Sequence, residues 1–137
     1  MSSFKIFEIA GSGMNAQNLR MNLVASNLAN VDAVSSSVEQ TYRSRQPVFQ
    51  AVLDELNARS PAVGVRMVGV VESQSPLVRE YAPQHALADD EGYIYRPNVN
   101  VVEEMANMIS ASRAYQNNVE VVNATRQMLS ATINLGR

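Results

Sequence analysis

The chain has 137 residues, 46% of them hydrophobic and only 18% charged, against about 25% charged in an ordinary globular protein; that length suits one domain. Eleven Lys and Arg stand against 13 Asp and Glu, and a net charge of -2 gives no electrostatic pull toward nucleic acid or anionic lipid. With no cysteine, disulfides, iron–sulfur clusters, cysteine zinc sites and thiol catalysis are excluded.

The first eight residues, Met1 to Glu8, do not read as a cleavable export signal, because Lys5 and Glu8 bracket the apolar start and Gly, Asn and Gln soon interrupt it. Any route out of the cytoplasm is expected to remove nothing. No apolar run approaches the roughly 18 residues that span a bilayer, so direct membrane insertion is not expected.

Residues 1–31 read as a helix. One seam runs Phe7, Ala10, Met14, Gln17, Met21, Val24, Leu28 and Val31, alternating by three and four. A second stripe, Ile9, Ala16, Leu19 and Leu23, lies on another face. Between Ile9 and Val31 the only charge is Arg20. A helix apolar on more than one face must be covered on more than one face, so alone it is expected to fray. Gly11 and Gly13 each weaken helix propensity by about 1 kcal/mol relative to alanine, which close approach of a neighbour would offset. Gly11-Ser12-Gly13 lacks the third glycine, the Lys and the preceding strand of a phosphate loop; helix packing is the expected role.

Residues 32–98 read as irregular with short strands, a small β appendage. Val34 to Val38 is expected to be a loop, Val48 to Asn57 a short helix, and Val63 to Val71 a strand with Leu77 to Tyr81 pairing beside it. A turn through Ala88 to Gly92 leads to an extended Tyr93-Ile94-Tyr95. His85 beside Asp89, Asp90 and Glu91 is one histidine in an acidic turn, better read as a solvated loop than a metal site.

Residues 99–137 read as the second helix. Asn100 is a good N-cap, and Glu103 three residues on makes a capping-box-like pair; Glu103 and Glu104 also suit the positive end of the helix dipole. The predicted seam runs Val101, Met105, Met108, Ser112, Tyr115, Val119, Val122, Arg126, Leu129 and Ile133, with a second stripe at Ala114, Val121, Met128 and Leu135 and a stop at Gly136. The two helices are expected to pair antiparallel as one discontinuous, coiled-coil-like domain. Gln17, Ser112 and Arg126 are polar members of apolar seams, where a polar residue sits at the rim or fixes register; the planar fork of Arg126 suits a contact between subunits. Adjacent Glu103 and Glu104 diverge by about 100° and do not make a catalytic pair, and Ser110 and Ser112 have no downstream histidine. No catalytic residue, metal or cofactor is expected.

Ser26-Asn27-Leu28-Ala29-Asn30 at the end of the first helix resembles the signature of bacterial flagellar rod and hook proteins. Tyr81 to Asp89, Gly92-Tyr93, Pro97-Asn98-Val99-Asn100 and the run from Val102 to Asn117, VEEMANMISASRAYQN, resemble the proximal rod members of that family. The family's Pro-Gly-His-Pro turn reads Pro83-Gln84-His85-Ala86 here. The resemblance implies a mainly α structural subunit of the basal-body rod, a periplasm-spanning drive shaft and export channel. It implies export through the flagellar type III apparatus, and as neighbours other proximal and distal rod proteins, the adaptor to the export gate, and further copies of the chain. The residues expected to carry packing and assembly are Phe7, Ala10, Met14, Gln17, Met21, Val24, Asn27, Leu28 and Asn30 on the first helix, and Met105, Met108, Tyr115, Val119, Val122, Arg126, Leu129 and Ile133 on the second. The rival reading is a non-flagellar secreted helical hairpin that closes as a dimer; a nucleic-acid binder lacks its basic stripe.

Overall fold

A computed structural model describes residues 3–52 and 64–136. Two long helices carry a central segment of short antiparallel strands. Helix α1 spans Ser3–Ala29 and α2 spans Val101–Leu135; between them lie β1 (Arg45–Ala51), β2 (Val65–Glu72), β3 (Val78–Tyr81) and β4 (Tyr93–Arg96).

The helices pack antiparallel. Arg20 Nη2 donates to Asn107 Oδ1 at 2.9 Å, and Gly13 lies against the amide of Asn118, so partners on α2 climb as positions on α1 fall. Small residues make the approach close: Ala10, Ala16 and Ala111 are buried, and a Cβ on Gly13 would come within 2.9 Å of Asn118 Nδ2. Gly11 has no such neighbour within 4 Å. Gly13→Ala should therefore be nearly neutral, because Asn118 can swing aside while helix propensity improves by about 1 kcal/mol. Gly13→Leu overfills the contact and should cost about 1–3 kcal/mol, read as a lower urea midpoint with unchanged slope.

Of the predicted α2 seam, Met108, Ser112, Tyr115, Val119, Val122 and Leu129 are half-buried and the other positions are not covered. The covered face runs Glu104, Met108, Ala111, Tyr115, Asn118, Val122, Thr125 and Leu129, all buried or half-buried. Met108, Tyr115, Val122 and Leu129 belong to both patterns. Met105 and Ile133, however, are 54% and 64% exposed, and Val101 and Arg126 are exposed too. The reason is chemical: half of the covered positions are polar or small, so a search for apolar spacing picks the neighbouring register. On α1, Ala10 and Val24 are buried, while Phe7, Met14, Gln17, Met21, Leu28, Ile9, Leu19 and Leu23 are half-buried. Helix α1 is also covered by the β1–β2 hairpin; Ser12 Oγ donates to the Ile9 carbonyl at 2.8 Å and accepts from Val65 N at 3.0 Å.

At 1.5 Å per residue α2 is about 52 Å long and α1 about 40 Å. Past Leu129 every described residue of α2 is exposed. Gly136 ends the helix at φ -87, with its N–H on the Ile133 carbonyl, not in the left-handed conformation that favours glycine.

Strand β1 pairs with β2 from Arg45↔Glu72 to Ala51↔Val65, with a bulge between Val48 and Phe49. Val48 to Ala51, expected to be helical, alternates with period two instead: Pro47 and Phe49 turn inward and Val48 and Gln50 outward. The rest of that predicted helix, 53–57, falls outside the described residues. Leu77 to Tyr81, expected beside β2, instead supplies β3, which pairs with β4 from Val78↔Arg96 to Tyr81↔Tyr93. The intervening turn decides this. Asp89 Oδ1 accepts from Glu91 N at 3.0 Å and Tyr93 N at 2.8 Å, and Gly92 takes φ +85, where a Cβ would crowd Tyr81 and Pro83. The chain thus folds back on its own nearest extended run. Ser35, within the predicted loop, bridges to Tyr95.

The backbone N–H of Tyr93, followed by that of Glu91 and the Tyr95 hydroxyl, holds the Asp89 carboxyl below its ordinary value. A depressed carboxylate stabilises the turn fully above the ordinary carboxylate range, and that support is lost as pH falls through the depressed value. Tyrosine amide resonances of the β3–β4 unit should therefore shift on acidification in the native chain, and Asp89→Asn should abolish that pH dependence.

Candidate functional site: a polar junction and uncovered helix flanks

Asn27 is 1% exposed, the largest fully buried side chain among the described residues. Its Nδ2 donates to the Arg45 carbonyl at 2.9 Å and to Ser44 Oγ at 3.4 Å. Its Oδ1 accepts from Arg45 N at 2.9 Å and from Tyr42 OH at 2.8 Å. One side chain thus closes both backbone groups of the first residue of β1 onto the last turns of α1. Asn30 Nδ2 donates to the Ser26 carbonyl at 2.8 Å, a second donor on a carbonyl that already accepts from Asn30 N at 3.2 Å.

The junction continues through residues that apolar spacing does not reveal. Asn98 Oδ1 accepts from Ser44 N at 2.8 Å, while its Nδ2 donates to the carbonyls of Ser73 and Ser75 at 3.2 and 2.9 Å. Arg43 reaches the same Ser73 carbonyl at 3.2 Å. Ser44 Oγ donates to Glu104 Oε1 at 3.4 Å. The end of α1, the hairpin and the approach to α2 are therefore tied by one hydrogen-bond network. Ser26-Asn27-Leu28-Ala29-Asn30 and Pro97-Asn98-Val99-Asn100 are visible in the sequence as motifs, but the role of Ser44, lying between charged residues in a loop, is not.

Asn100 caps α2, its side chain accepting from Val102 N and Glu103 N. Glu103 and Glu104 both stand in the first turn of α2, as the dipole reading expects; Glu103 is exposed, and Glu104 is only 5% exposed. It lines a cleft of about 330 Å³ with Arg20, Val24, Arg45, Phe49 and Asn107.

Met108, Tyr115, Val119, Val122 and Leu129 are half-buried, whereas Met105, Arg126 and Ile133 stand exposed. The second α2 stripe opens progressively: Ala114 is half-buried, Val121 is 46%, Met128 60% and Leu135 88% exposed. Phe4 at the start of α1 is 80% exposed. These are large apolar surfaces on uncharged helix flanks. Among the described residues no group of three or more His, Cys, Asp or Glu is placed to hold a metal ion, and no helix is long and apolar enough to cross a membrane.

Comparison with known proteins accounts for both ends. Residues 7–35 match the family described as Flagella basal body rod protein. Residues 90–135 match Flagellar basal body rod FlgEFG protein C-terminal. The flagellar basal-body rod protein FlgC of Escherichia coli O6:H1 is 48% identical over 139 residues, covering 100% of each chain. That of Salmonella typhimurium is 46% identical over 137 residues, again 100% of each. That of Borreliella burgdorferi is 33% identical over 147 residues, 97% of each. Full-length identity of this order, with most of α1 and all of α2 inside matched families, means that the chain belongs to the FlgC family of flagellar basal-body rod proteins.

Proposed function

We propose that this rod subunit polymerises through its terminal helices, residues 1–31 and 99–137 acting as one discontinuous axial domain with residues 32–98 carried on its side. The observation that supports this best is the open stripe Ala114, Val121, Met128 and Leu135 on a helix that outruns its partner. Each copy hides one face of α2 and leaves another for a neighbour. Contacts between unlike faces do not close on themselves and generate a helical tube. The assembly residues are those of the two seams, with Met105, Arg126 and Ile133 directed to neighbours and Ala10, Val24 and Asn27 to the chain's own fold. The role is structural, with no catalytic step and no cofactor. The partners are other proximal and distal rod proteins, the adaptor to the export gate and further copies. The site of action is the periplasmic rod, reached through the flagellar export apparatus without cleavage. The helix pair packs in coiled-coil fashion, and its sparse core favours folding coupled to assembly.

Met128→Asp separates assembly from folding. Because Met128 is 60% exposed, the isolated chain should lose less than about 0.5 kcal/mol of stability, while incorporation into basal bodies is lost, since a carboxylate buried without a partner is costly. Normal rods with this variant would overturn the reading, and a closed soluble dimer in sedimentation would favour the secreted-hairpin rival.

A further inference from the structure

The Glu104 cleft has an unbalanced charge. Arg45 is committed to Glu72 at 3.3 Å and lies over the Tyr42 ring. Setting that pair aside leaves one cation, Arg20, held on Asn107, against two carboxylates, Glu103 and Glu104. Glu104 is more than nine-tenths buried, beside Val24 and Phe49. Its Oε1 takes one long hydrogen bond from Ser44, and its Oε2 meets no donor among the described residues. Oε2 is not sealed off, so the carboxylate can be reached through the cleft by a cation from outside.

We propose that this cleft receives the guanidinium of Arg126 from a second copy of the chain; the inference rests on the rod reading above. Arg126 is exposed, with no ion-pair or hydrogen-bond partner among the described residues. It lies one turn from the half-buried Val122 and Leu129, at the edge of the seam where the cover given by α1 ends. Arg113, the other exposed cation of α2, sits among the exposed Ile109, Ser110, Gln116 and Asn117, away from that seam. The apolar wall of the cleft suits the arginine stem, and its surplus negative charge the planar fork. With the copies parallel, donor and acceptor at different heights on α2 make the contact heterologous and offset the copies by roughly 30 Å along the helix axis.

The test is a charge swap in the full chain, read as copies recovered in purified basal bodies. Glu104→Arg and Arg126→Glu should each reduce recovery roughly tenfold or more, and the double variant should restore most of it. Glu104→Gln, which keeps the Ser44 hydrogen bond and the side-chain volume, should also lower recovery, while circular dichroism shows an unchanged fold. Because the chain has no cysteine, Glu104→Cys with Arg126→Cys also reports the contact directly: a short bis-maleimide should join copies in assembled rods and not in dilute monomer. Full recovery with Arg126→Glu, or a double variant no better than the worse single one, overturns the contact. Intact rods in which the cysteine pair does not cross-link also overturn it, while leaving the rod reading in place; if Met128→Asp too is tolerated, the rod reading itself has failed.

Discussion

Asn27→Leu is expected to lower the stability of the isolated chain by about 3–5 kcal/mol, among the largest effects of any single substitution. The leucine fills the space but leaves the Arg45 N–H and carbonyl without the partners they have at 2.9 Å. Both groups lie in a part-buried junction, and each one abandoned in this way costs about 1–3 kcal/mol. Tyr42 suffers less, because its hydroxyl also lies 3.3 Å from Ser26 Oγ. Thermal unfolding followed by circular dichroism measures the loss, and Asn27→Asp provides the control. It keeps the acceptor for Arg45 N and Tyr42 but not the donor to the carbonyl, so it should fall between leucine and the native residue. Equal stability of the leucine variant and the native chain would mean that the junction is not what holds the hairpin to α1.

Ala10→Asp is expected to be comparably severe for a different reason. Ala10 is 3% exposed on the face of α1 that meets α2 through small residues. A carboxylate there is taken out of water on a face of small residues, at a cost of about 3 kcal/mol or more. The helix pair should separate, with loss of helical signal in the monomer and of assembly in the cell. Ala10→Ser, which adds one polar atom able to bond its own helix backbone, should retain both. Undiminished helix content in the aspartate variant would place the α1–α2 contact elsewhere than along Ala10, Gly13 and Arg20.

The helices were legible because their signals are long and redundant. Asn100 caps α2 and Gly136 ends it, as the local residues imply. The inner register of α2 was not legible, since its covered side includes Glu104, Asn118 and Thr125, polar residues whose burial follows from what lies beside them, as Gly13 does beside Asn118 and Ser44, Val24 and Phe49 beside Glu104, and not from their own hydrophobicity. The strand at Val65 to Glu72 followed from its β-branched composition. Its partner did not: Val48 to Ala51 is too short a run to separate the two periods, and long-range hydrogen bonds, Asn27 to Arg45 and Asn98 and Ser73 to Ser44, fix where β1 begins. The pairing of β3 with β4 was hidden in the chemistry of a turn, Asp89 and Gly92. At the candidate site, motifs announced Asn27 and Asn98, while Glu104 offered no sign of its burial.

Shear between α1 and the strands it carries is resisted at the junction around Asn27. Apolar faces attract without direction and let one element slip past another with little resistance. The amide of Asn27 grips both polar atoms of a single peptide residue, and Asn98 holds two further carbonyls, so turning the hairpin about α1 breaks several directional bonds together. Resistance to turning is thus concentrated at this elbow, while the greasy helical sides offer adhesion without direction.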